Sequence, residues 1–161
     1  MTTALTEKIS WTCFGGGEHA VVVAEAVAAA QPSAILRGCW STDEKTRLPR
    51  LGTDTDCQRD LERWRHNTWF HVAFVGGAGD RRRRELIDRW QEFALRWLTV
   101  VHPTAYVSPS ARLGAGVFVA AHAVVNAGAV IGDHAVINTA AVVEHDVTLG
   151  CGIHIAPGAV I

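Results

Sequence analysis

From Val107 to Ile161 the chain repeats a six-residue pattern of apolar and small positions. Stepping by six gives Val107, Leu113, Val119, Val125, Ile131, Ile137, Val143, Leu149, Ile155 and Ile161, all aliphatic. Two residues before each stand Ala105, Ala111, Val117, Ala123, Ala129, Ala135, Ala141, Val147, Ile153 and Ala159. The residues just after the aliphatic positions are mostly Gly, Ser, Asn, Ala, Pro or Asp, which suit tight turns. An Ala/Val-rich helix is a poor account, because a period of six does not match 3.6 residues per turn. The period predicts short parallel strands joined by turns and wound into a three-sided prism, its aliphatic residues stacked inside. Three hexapeptides make a coil of about 18 residues, so coils run over about 107–124, 125–142 and 143–160.

The preceding residues follow another rhythm. Ile9 to Phe14 is apolar and β-prone, and Gly15-Gly16-Gly17-Glu18 leads into His19 to Ala30, rich in Ala and Val. Ser33 to Trp40 is a second strand candidate, and Asp54 to His66 reads as a helix with Leu61 and Trp64 on one face. Thr68 to Val75 is an apolar strand broken by Gly76-Gly77-Ala78-Gly79. Asp80 is a candidate cap for a helix running to about Leu95, and Trp97 to Val101 is a last strand. Alternating strand and helix predicts a small doubly wound α/β domain with a parallel sheet.

Composition places the border between the halves near His102-Pro103. All six tryptophans precede it, as do 27 of the 31 charged side chains; only Arg112, Asp133, Glu144 and Asp146 follow. Two domains are expected, 1–102 and 103–161. A formal net charge of −1 offers no basic field for nucleic acid or an anionic membrane. Glu7 and Lys8 precede any apolar core, so the first residues do not read as a secretory signal. Cys13, Cys39, Cys57 and Cys151 are widely spaced and read as reduced thiols in a cytoplasmic protein.

A Gly-rich turn between a first strand and first helix lets backbone N–H groups face a phosphate. Gly15-Gly16-Gly17 fits that use, but not a nicotinamide dinucleotide: the third fingerprint glycine is missing and no acid stands about 20 residues on. Arg81 to Arg84 are consecutive on a helix, so they point in all directions and form no stripe. With Glu85, Asp88 and Glu92 in reach they read as a solvated face, with phosphate contact by one arginine as the lesser alternative.

Four histidines fall in the repeats: His122, His134, His145 and His154. Their successive gaps of 12, 11 and 9 are not multiples of a coil, which argues against a stacked zinc site. His145 stands in a turn between Glu144 and Asp146. A carboxylate beside an imidazole fixes its tautomer and raises its basicity, as a general base requires. Cys151 lies in a turn with only remote histidines, which argues against a covalent thioester relay. Phe118, Val124, Val130, Val136 and Val142 directly precede inward positions and are expected to point outward. Such an apolar surface needs covering, and packing against two further copies would do it.

Four stretches carry a family resemblance: Phe14-Gly-Gly-Gly-Glu-His-Ala20, Val75-Gly-Gly-Ala-Gly-Asp-Arg81, His102-Pro-Thr-Ala-Tyr-Val-Ser-Pro109 and Ile137-Asn-Thr-Ala-Ala-Val-Val-Glu-His-Asp146. Through them the chain resembles bacterial nucleotide-sugar acyltransferases. That group includes sialic acid O-acetyltransferases and the N-acetyltransferases of UDP-linked bacillosamine precursors and of GDP-perosamine. The resemblance implies a Rossmann-like nucleotide-sugar-binding domain followed by a left-handed parallel β-helix. It implies acetyl-CoA as cosubstrate, no metal, a nucleotide-linked amino sugar as acceptor, and a homotrimer with active sites between prisms. It also implies His145 as general base with Glu144 or Asp146 orienting the ring. Asn138 and His154 would line the acetyl-CoA and acceptor site, and Gly15, Gly16, Gly17 and His19 the nucleotide site. O-acetylation of a sialic-type sugar is the alternative chemistry.

Two departures stand out. Glu18 replaces a usual glycine, and Cys39-Trp40-Ser41 replaces the usual acidic end of the second strand. Related enzymes also continue for several more hexapeptides beyond the position of Ile161. The expectation is an incomplete coenzyme site, and a non-catalytic sugar-nucleotide-binding or assembly module as the competing reading.

Overall fold

The computed structural model describes residues 9–75 and 81–161. The Gly76–Gly79 break and the Asp80 cap lie outside the described residues. The elements of the first lobe are β1 (Ser10–Phe14), α1 (Glu18–Ala30), β2 (Ile35–Trp40), β3 (Arg50–Gly52), α2 (Asp54–Arg59), α3 (Leu61–Trp64), β4 (Trp69–Val72), α4 (Arg81–Gln91) and β5 (Arg96–Trp97). They form one parallel sheet of order β3-β2-β1-β4-β5. The chain therefore changes direction across the sheet at β1. Both faces of β1 are covered. Trp11 and Cys13 join α1 in one apolar cluster, while Phe14 faces Trp90, Phe70 and Ile87 in another. A parallel strand covered on both faces needs a mostly apolar run. Trp11, Cys13 and Phe14 supply it, and the buried Thr12 hydroxyl donates to the Gly38 carbonyl at 2.8 Å.

Three first-lobe expectations are corrected. The predicted helix over 54–66 is two short helices that meet at Asp60. Thr53 and Asp56 close a capping box on α2, and Asp is a poor helix former. Strand β3 was hidden in sequence by Pro49 and Gly52, which read as turn residues. The predicted strand over 97–101 divides between two sheets: β5 joins the first lobe, and β6 (Val100–Val101) is the first rung of the prism.

The prism continues through two-residue strands: β7 (Tyr106–Val107), β8 (Arg112–Leu113), β9 (Phe118–Val119), β10 (Val124–Val125), β11 (Val130–Ile131), β12 (Val136–Ile137), β13 (Val142–Val143), β14 (Thr148–Leu149) and β15 (His154–Ile155). They stack in three parallel sheets, β13-β10-β7, β14-β11-β8 and β15-β12-β9-β6. Val124 pairs with Val142, and Val142 in turn bridges to Val160, which gives the predicted coil length. Both predicted apolar rows meet inside, with Val119, Ala123, Val125, Ala129, Ile131, Ala135 and Ile137 in one buried cluster.

The outward row is not uniformly exposed, contrary to expectation. Phe118 and Val136 are fully buried, because their face packs onto α1 and the first sheet of the same chain. Val124, Val130 and Val142 stay half-buried on the other two faces. Arg83 fastens the lobes together. It is only 4 % exposed, and its guanidinium donates to the carbonyls of Phe74, His134 and Gly152 at 3.0, 2.6 and 3.1 Å. The solvated-face reading of the arginine run is therefore wrong for this residue.

Candidate active site

His145 and its two acids occupy the turn between β13 and β14. His145 Nδ1 lies 2.9 Å from Asp146 Oδ2, and both side chains are about three-quarters exposed or more (74 % and 79 %). The Asp146 carboxylate accepts from the ring and raises the imidazole pKa above its ordinary value. Glu144 is engaged elsewhere: Asn126 Nδ2 donates to its Oε2 at 2.9 Å from the coil below. Of the two flanking acids, Asp146 is the one that contacts the ring. With Nδ1–H donated to Asp146 Oδ2, Nε2 carries the free lone pair of the neutral ring.

Asn138 follows β12 and His154 opens β15, at the prism corner nearest the first lobe. Asn138 Nδ2 donates to His154 Nε2 at 3.0 Å, so that ring nitrogen is an acceptor. Partial burial, reinforced by the nearby Arg83 charge, lowers the His154 pKa. His19, on the first turn of α1, meets the edge of Phe118 with centroids 5.4 Å apart. Burial brings its pKa down to about 4, with smaller contributions from His154 and Arg83. His19, His154 and Asn138 thus form one neighbourhood at the junction of the lobes. His145 stands on the next corner, paired with Asp146.

At the carboxyl ends of β1, β2 and β4 opens a cavity of about 450 Å³. Its walls include Gly15, Gly16, Gly17, Trp40, Ser41, Thr42, Asp43, Asp54, Phe74, Arg82, Leu86 and Arg89. Its size falls within the range of small-ligand sites, and it lies at the topological switch point of the sheet. Gly15 has φ +98, and a Cβ on Gly16 would strike Cys39 Sγ and Thr46. The turn between β1 and α1 therefore requires glycine at both positions. Glu18, which would repel a phosphate, is paired with Arg47 at 2.7 Å. Asp43, three residues past the end of β2, puts a carboxylate on the cavity wall.

The sequence reading missed Asp43, Asp54 and Arg89 as cavity residues, and held Arg82 only within the lesser alternative of phosphate contact by one arginine of its run. It also missed Gly128, which lies directly beneath Asp146; counting back one coil would have found it. Cys13, Cys39 and Cys57 are buried free thiols, and Cys151 is exposed and free. Burial pushes Cys57 up to about 12 and Cys13 further still. Among the described residues no group of three or more His, Cys, Asp and Glu side chains could hold a metal ion. Also among them, no helix is long and apolar enough to cross a membrane.

No family model matches the chain, and no curated protein matches it. Solved structures do. PerB from Caulobacter crescentus, determined with CoA and GDP-perosamine, is 33 % identical, with a TM-score of 0.81 over 94 % of this chain and 70 % of its own. The acetyltransferase domain of PglB from Neisseria gonorrhoeae is also 33 % identical, with a TM-score of 0.80 over 94 % of this chain and 72 % of its own. It has been solved with acetyl coenzyme A as well. WeeI from Acinetobacter baumannii, at 17 % identity and a TM-score of 0.75 over 94 % of this chain and 71 % of its own, shares the fold. The stacked parallel sheets are those of a left-handed β-helix acetyltransferase. The chain belongs to the sugar N-acetyltransferase family that PerB and the PglB domain represent.

Proposed function

We propose that the protein transfers an acetyl group from acetyl-CoA to the amine of a nucleotide-linked amino sugar. The observation that carries this reading is the His145–Asp146 pair at 2.9 Å, on the prism of an acetyltransferase fold. Family neighbours bind CoA together with GDP-perosamine, which supports the same two substrate classes here.

The first lobe is read as a Rossmann-like domain, with Gly15, Gly16, Gly17 and His19 on the loop that holds the nucleotide part of the substrate. Asn138 and His154 line the path from that domain to the thioester. His145 Nε2 takes the proton of the sugar amine as its nitrogen attacks the thioester carbonyl. Asp146 holds Nδ1–H and stabilises the imidazolium that forms. The C–N bond forms, the C–S bond breaks, and the imidazolium returns the proton to the departing thiolate. The assembly proposed is a homotrimer, supported by the apolar strip of Tyr106, Val124, Val142 and Val160 on one prism face. Three buried reduced thiols fit a cytoplasmic setting.

The test is steady-state turnover of acetyl-CoA with a panel of UDP-, dTDP- and GDP-linked amino sugars. Turnover with at least one, lost in His145→Ala, is the expected result. Tight sugar-nucleotide binding with no turnover would make the chain a binding module instead.

A further inference from the structure

Consecutive arginines at the start of α4 have opposite surroundings. Arg83 is buried and spends its hydrogen bonds on the carbonyls of Phe74, His134 and Gly152. That anchorage fixes the first turn of α4 and aims Arg82 into the cavity. Arg82 reaches over the ring of Phe74, its guanidinium carbon 5.8 Å from the centroid. It donates from Nη2 to Thr42 Oγ1 at 2.5 Å. Phe74 follows β4 and Thr42 follows β2, the two strands that flank β1. The Arg82 side chain thus spans the cavity over the carboxyl end of β1, beside the glycine turn.

The charges around that cavity are unevenly matched. Arg89 is paired with Asp54 at 2.5 Å. Glu18 is paired with Arg47. Asp43 Oδ1 accepts from the backbone N–H of Lys45. No carboxylate among the described residues lies within ion-pair distance of Arg82, whose partners are a neutral hydroxyl and an aromatic face. A guanidinium held in a polar cavity without an anion is poised for one that arrives with the ligand, and its planar fork suits phosphate oxygens.

We infer that Arg82 binds the diphosphate of the nucleotide sugar, exchanging its Thr42 contact for phosphate oxygens opposite the glycine turn. The inference rests on the nucleotide-sugar reading of this cavity and makes Arg82 a specificity residue for diphosphate over monophosphate or nucleoside. Asp54 and Arg89 satisfy each other and leave this step to Arg82.

Titration calorimetry on the full chain with GDP, UDP and dTDP, their monophosphates and their nucleosides tests it. Wild type should prefer a diphosphate to its nucleoside, with affinity falling as salt rises. Arg82→Gln should weaken diphosphate binding roughly 10- to 100-fold, the range for hydrogen bonds to charged groups, with nucleoside binding unchanged. Arg82→Lys should recover part of the loss. Equal weakening of nucleoside and diphosphate would make Arg82 a structural residue and overturn the inference. Unchanged diphosphate binding in Arg82→Gln would overturn it while leaving the nucleotide-sugar reading intact. Absence of all nucleotide binding in wild type, with a normal melting transition, would overturn both.

Discussion

Gly128 lies one coil beneath Asp146, and a Cβ there would collide with Asp146 Oδ1. Gly128 also has φ +72, a backbone region that costs an L-residue about 1–2 kcal/mol. The carboxylate that contacts His145 therefore rests on an empty seat kept by glycine.

Gly128→Ala should lower both stability and rate. Gly158→Ala is the control, since Gly158 has φ +68 with nothing within 4 Å of its Cβ position. The two variants should lose similar stability, about 1–2 kcal/mol in chemical denaturation. Only Gly128→Ala should lose kcat. Equal rates would show that Asp146 does not need its present seat.

The proposed base gives a graded mutational series. His145→Ala should lose roughly 100- to 10,000-fold in kcat with sugar-nucleotide affinity little changed. Asp146→Asn should cost more rate than Glu144→Gln, because Asp146 contacts the ring and Glu144 is held by Asn126. The reverse order would assign the orienting role to Glu144.

The pH profile carries a sign. His145 works as a base only when neutral, and Asp146 raises its pKa above the ordinary 6.5. The acid limb of kcat/KM should therefore rise with a midpoint above 6.5, and Asp146→Asn should move that limb to lower pH. An unmoved midpoint in Asp146→Asn would remove the coupling between the two groups.

Acid should separate the lobes. Burial lowers the pKa values of His19, His71 and His134 to about 4. In the unfolded chain these rings protonate near the ordinary 6.5. Stability that depends on their neutral forms is fully present above about pH 6.5 and is lost as pH falls toward 4. His71 Nε2 and His134 Nδ1 are buried without a hydrogen-bond partner, so a proton added there would find no acceptor. Melting temperature should fall steadily between pH 7 and pH 5. A flat profile across that interval would show the junction to be indifferent to these rings.

Assembly is tested on the strip of Tyr106, Val124, Val142 and Val160. Tyr106 and Val160 are 55 % and 65 % exposed in a single chain. Light scattering should report three copies for wild type, and Val124→Glu should shift it toward one copy. A monodisperse wild-type monomer would count against the trimer.

The inward rows of the prism from Val107 onward were legible residue by residue, because a period of six leaves each aliphatic side chain one place to go. The first strand and its glycine turn were legible because a mainly apolar, β-prone run from Ile9 to Phe14 stops at Gly15-Gly16-Gly17. What escaped were relationships between segments. Arg83 looks like its neighbours in sequence, and only the three carbonyls it meets distinguish it from Arg82. Phe118 and Val136 occupy outward positions of the repeat, and nothing in the repeat says that the first lobe covers them. Pro49 and Gly52 concealed β3, because a short edge strand tolerates residues that a central one does not. Asp43 reaches the cavity wall after a bend that no pattern announced.

The sealing of the β15-β12-β9-β6 face by α1 also limits the symmetry open to the molecule. A rotationally closed ring joins copies head to tail, so each member offers two unlike patches and no third. With one side of its triangle occupied by its own chain, the prism has two sides to offer. With two sides, head-to-tail contacts close a ring or run on as a filament, but cannot branch into a lattice.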